Sequence, residues 1–82
     1  MTQTTRDLKT ELDKSVVLLR TLRDEVRLQL HLGSMDAKDE WRRLEPRLES
    51  AFDQAAKEVT EASRTVVEEA TAALQRFKKN VL

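Results

Sequence analysis

The chain has no cysteine, one glycine and one proline, and only 4% of its 82 residues are aromatic. Each scarcity excludes something. Without thiols there are no disulfides and no thiolate metal sites, which fits a reducing compartment. Strand-and-turn folds use Gly, Pro and Asn as punctuation, and here that punctuation is nearly missing. No apolar run approaches the roughly 18 residues of a membrane span. The opening Met1-Thr-Gln-Thr-Thr lacks the basic-then-apolar layout of a signal peptide. Together these absences predict a soluble, cytoplasmic protein. An excess of one charge is missing too: 15 basic residues balance 15 acidic ones. The balance holds locally, with six basic and five acidic groups in residues 1–33, four and five in 34–50, and five and five in 51–82. No basic stripe stands ready to neutralise phosphates, which disfavours nucleic acid as a partner.

What remains is a chain that is 37% charged and rich in Leu, Ala, Glu, Lys, Arg and Gln, the residues that favour helices. High charge with low hydrophobicity also describes disordered chains, but those usually carry a net charge. Here the apolar residues recur at steps of three and four. Thr4 and Asp7 read as an N-cap pair immediately before Leu8. The stripe then runs Leu8, Leu12, Val16, Leu19, Leu22, Val26, Leu30, and on through Ala37, Trp41, Leu44, Leu48, Phe52 and Ala55. It finishes with Val59, Ala62, Val66, Ala70, Ala73 and Phe77. At about 100° per residue these fall in one arc with one phase from end to end. An 11-residue register links Leu8, Leu19, Leu30, Trp41, Phe52 and Leu74, with Ser63 its single polar member. That spacing, about 3.67 residues per turn, favours straight packing over a left-handed supercoil.

Two residues interrupt the pattern. Gly33-Ser34 can close one helix and open the next, with Asp36 as an alternative N-cap. Pro46 removes a backbone donor, but it sits opposite the apolar arc, where a kink leaves the packed face intact. The expectation is therefore one domain with a helix over about 5–32, a break at 33–35, and a second helix over about 36–80 kinked near 46. A single kinked helix in an intermolecular coiled coil is the alternative. The alternation of Val26, Leu28, Leu30 and Leu32 with polar residues suits a half-buried strand, yet no second strand is available to pair with it. The first half also carries Val17, Leu28, Leu32 and Met35 on the side opposite the stripe, with Leu18 between, a second candidate interface.

Chemistry-bearing constellations are missing. His31 is the only histidine, and no acidic residue at 27 or 35 completes a two-ligand helical metal site. Glu68 and Glu69 are adjacent and diverge on a helix, so they are no acid–base pair. There is no Gly-rich phosphate loop. No enzymatic activity, cofactor or metal is expected. Trp41, flanked by Asp39-Glu40 and Arg42-Arg43, lies on the stripe as a packing residue or a protein-binding anchor. Arg76, Lys78 and Lys79 suit the negative end of a helix dipole.

The stretch Leu30-His31-Leu32-Gly33-Ser34-Met35-Asp36-Ala37-Lys38-Asp39-Glu40-Trp41 resembles small uncharacterised bacterial coiled-coil proteins, some of them stress-associated. The resemblance covers about a quarter of the chain, and Pro46 departs from it. It implies a bacterial helical interaction protein and assigns no functional residue. The residues themselves predict an all-α fold in which long amphipathic helices form a hairpin, or antiparallel coiled coil, that self-associates into a bundle. Its packing residues are Leu8, Leu12, Leu19, Leu22, Val26, Leu30, Trp41, Leu44, Leu48, Phe52, Val59, Val66 and Phe77. The partners expected are further copies of the chain and another helical protein. Reversible lipid-surface binding by the 11-residue repeats is the alternative function, and DNA packing is a third that the charge balance disfavours.

Overall fold

Helix ends in this chain are set by side chains that accept the first free backbone N–H groups. The computed structural model describes residues 5–82, and the cap expected at Thr4 lies outside them. Three helices follow one another: α1 (Thr5–Leu30), α2 (Met35–Lys57) and α3 (Glu61–Val81). Between α1 and α2 the backbone tightens into three-residue turns. Leu32 N–H donates to the Gln29 carbonyl at 3.1 Å and Gly33 N–H to the Leu30 carbonyl at 3.0 Å. Ser34, not Asp36, is the cap of α2, its Oγ accepting from Ala37 N–H at 3.1 Å. Gly33 does not adopt a positive φ. A Cβ there would sit 3.3 Å from the Leu30 carbonyl oxygen and 3.6 Å from the Ala37 Cβ. Glycine is used here for close approach of the two helix ends.

The expected helix over 36–80 is two helices, and this is the main correction to the sequence reading. Pro46 lies inside α2, which continues to Lys57. Both Pro46 and Arg42, whose carbonyl loses its helical donor, are exposed, so water can take that bond. The chain breaks twelve residues later, at Glu58-Val59-Thr60, where neither Gly nor Pro occurs. Glu58 turns extended (φ −136°, ψ 132°) while its N–H still reaches the Gln54 carbonyl at 2.9 Å. Thr60 then caps α3: its Oγ1 accepts from Ser63 N–H at 3.1 Å and donates to Ser63 Oγ at 3.1 Å. Ser63 is fully buried yet bonded through both groups, so it carries no desolvation penalty for an unmade bond. The one polar member of the 11-residue register is part of the reversal.

The helices run up, down and up. Trp41 near the start of α2 meets Phe77 near the end of α3, ring centroids 5.8 Å apart, so these two are antiparallel. Lys78 of α3 reaches Glu25 of α1 at 3.6 Å, late in both helices, so α1 and α3 are parallel. The bundle measures 49 × 18 × 16 Å. Helix α3 packs extensively on both neighbours, whereas α1 and α2 touch each other sparingly. The core comprises Leu12, Leu19, Val26 and Leu30 of α1, Ala37, Trp41, Leu44, Leu48 and Ala51 of α2, and Val67, Ala70, Ala73, Leu74 and Phe77 of α3.

Phase explains the differences from the expected stripe. In the first two turns of α3 burial falls one residue later than expected, on Ser63 and Val67 in place of Ala62 and Val66, while Ala70, Ala73 and Phe77 are buried as expected. Ala62 is exposed and Val66 sits at the margin of the core. Replacing Leu19, fully buried, with Ala should cost about 2–5 kcal/mol in urea denaturation. Thr60→Ala should cost about 1 kcal/mol and lower the melting temperature, whereas a continuous helix through residue 60 would gain stability from the same change.

A candidate interaction surface

Each residue expected to pack has a definite place. Leu12, Leu19, Val26, Leu30, Trp41, Leu44, Leu48 and Phe77 are buried within the single chain. Leu22, Phe52, Val59 and Val66 are partly buried against that core, and Leu8 is half-buried. The main stripe is therefore consumed by intramolecular packing, and three helices cover what two could not. Ala51, Val67 and Leu74 join it. Leu74 was visible in the 11-residue register, but Ala51 and Val67 needed the true phase of each helix.

The second set is different. Leu32 is 95% exposed, Leu28 70%, Met35 67%, and Val17 and Leu18 57% each. Val17 and Leu28 are eleven residues apart, three helical turns, and so share one face of α1. Leu28 is nine residues from buried Leu19, half a turn round the helix, which points it away from the bundle. Leu32 in the α1–α2 connection and Met35 at the start of α2 extend this face over the corner. Leu82, 41% exposed, shares a groove with Gln29 and so lies at the same end. Isolated surface leucines need no explanation, but Leu28, Leu32 and Met35 are three exposed apolar side chains within eight residues of chain at one corner.

Charged side chains elsewhere are largely engaged with one another. Arg27 of α1 donates to Glu45 of α2 at 2.7 Å and lies 4.0 Å from Glu49, bridging the sparse α1–α2 interface. Above it on α1, Arg20 and Arg23 place their guanidinium carbons 5.9 and 5.0 Å from the Phe52 ring centroid, covering an aromatic ring that the core leaves half-open. Lys9–Asp13, Lys57–Asp53 and Arg64–Glu68 are pairs one helical turn apart. Among the described residues there is no group of three or more His, Asp or Glu that could hold a metal ion. None of their helices is long and apolar enough to cross a membrane.

No protein-family model, curated protein or solved structure matches the chain. A double-mutant cycle on Arg27→Ala and Glu45→Ala should return a coupling of about 0.2–1 kcal/mol that shrinks as salt is raised. Zero coupling at low salt would mean that this ion pair does not hold α1 to α2.

Proposed function

We propose that the chain is a non-enzymatic helical interaction module in a structural or scaffolding role. It associates with further copies of itself, and with another helical protein, through the outer face of α1 and the α1–α2 corner. The observation that carries this is the uncovered cluster of Leu28, Leu32 and Met35 on a chain whose other large apolar side chains are mostly covered. Covering apolar surface is favourable in proportion to its area, about 25 cal/mol per Å². Five or six such side chains expose on the order of a few hundred Å², under the roughly 800 Å² per partner of a standard interface. The association is accordingly weak and concentration-dependent. A stress-linked role, which the resemblance implies, adds no residue to this reading.

The lipid alternative has less support. Its anchors would be Leu8, Leu19, Leu30, Trp41 and Phe52, and Leu19, Leu30 and Trp41 lie in the core, so the bundle would have to open. A surface-seeking helix also carries Lys and Arg on its polar face, whereas acidic and basic residues are equally numerous here. The same neutrality weighs against DNA packing.

Sedimentation velocity across a concentration series should show a monomer giving way to a larger species. Leu28→Asp with Leu32→Asp should abolish that species while leaving the melting temperature of the monomer within a degree or two, because both side chains are exposed. A wild-type chain that stays monomeric into the high micromolar range would remove self-association. A chain that gains helicity only with anionic vesicles would put lipid binding first.

A further inference from the structure

Three arginines that share one groove have no ion-pair partner among the described residues. A groove of about 370 Å³ between α2 and α3 is lined by Arg43, Arg47 and Arg76, with Glu40 as its only carboxylate and Asn80 at its edge. None of the three arginines makes an ion pair among the described residues, although Arg27, Arg42 and Arg64 all do. Arg43 and Arg47 are one turn apart on α2, where like charges repel, and Arg76 joins them from the antiparallel helix. Three guanidinium groups against one carboxylate concentrate positive charge in a chain whose net charge is zero. A second groove also sets Arg27, Lys38 and Arg42 against one carboxylate, Glu45, but there Arg27 and Arg42 are ion-paired.

We infer that this groove is a binding site for an acidic segment of a partner protein, whose carboxylates pair with Arg43, Arg47 and Arg76. Guanidinium forks match carboxylate and phosphate oxygens alike, so the choice between them rests on the surroundings. Phosphate sites commonly draw on backbone N–H groups at a helix N-terminus. This groove opens instead beside the C-terminal end of α3, which offers no free N–H donors and whose dipole favours neither anion, so binding rests on the arginine side chains. Its positive groups are side chains spread along two helices, and Leu44, Phe77 and Val81 lie among them. Spaced charges on a partly apolar floor suit a polypeptide carrying several carboxylates better than one compact, highly charged phosphate.

The test is fluorescence anisotropy with a labelled oligoglutamate peptide at low salt, with sodium triphosphate as competitor. Binding should weaken as salt rises. It should fall at least about tenfold in the Arg43→Gln, Arg47→Gln, Arg76→Gln variant, and persist when Lys9, Lys14 and Lys57 are changed to Gln to remove the same charge elsewhere. Replacing the three arginines with Lys, which keeps the charge and loses the fork, should recover only part of the affinity. All these residues are exposed, and circular dichroism should show every variant as helical and as heat-stable as the parent. No peptide binding by the parent chain, or equal losses in the two Gln variants, would overturn the site. Displacement of the peptide by triphosphate at concentrations below the peptide's own dissociation constant would overturn the carboxylate partner in favour of phosphate.

Discussion

The bundle depends on one helix with small side chains fitting against two others. Helix α3 presents Val67, Ala70, Ala73 and Leu74 to its neighbours, and alanine lets backbones approach while contributing little area of its own. The larger contribution comes from what α3 allows α1 and α2 to cover: Leu12, Leu19, Val26 and Leu48 are essentially inaccessible to water. Because α1 and α2 touch sparingly, removing α3 would uncover both. At about 1.5–3 kcal/mol for each fully buried Leu or Val, that loss exceeds anything surface ion pairs could restore.

Polar groups are managed at the two reversals. Ser34 and Thr60 each hand a side-chain oxygen to the third residue of the next helix, so each reversal is built from one hydroxyl and a few extended dihedrals. The glycine assists the first reversal by its small size. The second has no glycine, and Ser63 is buried within it. The proline lies in neither. It occupies the solvent-facing side of α2, where a missing donor is cheaply replaced by water.

Two outer surfaces are left with contrasting character. The outer face of α1 and its corner are apolar, through Leu28, Leu32 and Met35. The α2–α3 groove is cationic. They share α2, through Met35 in the one and Arg43 and Arg47 in the other, but no residue is common to both. An apolar patch of modest area supports weak, non-directional association. Guanidinium forks add direction and salt sensitivity.

The helical class is legible in the chain, because apolar residues recur at three and four and turn residues are almost missing. The same spacing marked most of the core in the first two helices, where one unbroken period applies from Leu12 to Leu48. It also separated Leu28, Leu32 and Met35 from that core, since half a turn on a helix is a half turn in any fold. It did not place the second reversal. The stripe continues across Val59 and Ala62 with only a small change of phase, and a Thr cap with Ser three residues on is a faint local signal beside Gly33 and Pro46. That α3 turns back is settled by packing, which shifts burial from Ala62 and Val66 to Ser63 and Val67. That same reversal brought Arg76 beside Arg43 and Arg47. Counted over residues 1–33, 34–50 and 51–82, basic and acidic residues balance to within one. In space an antiparallel pair of helices sets residues about thirty positions apart side by side, and no linear count of charge contains that distance.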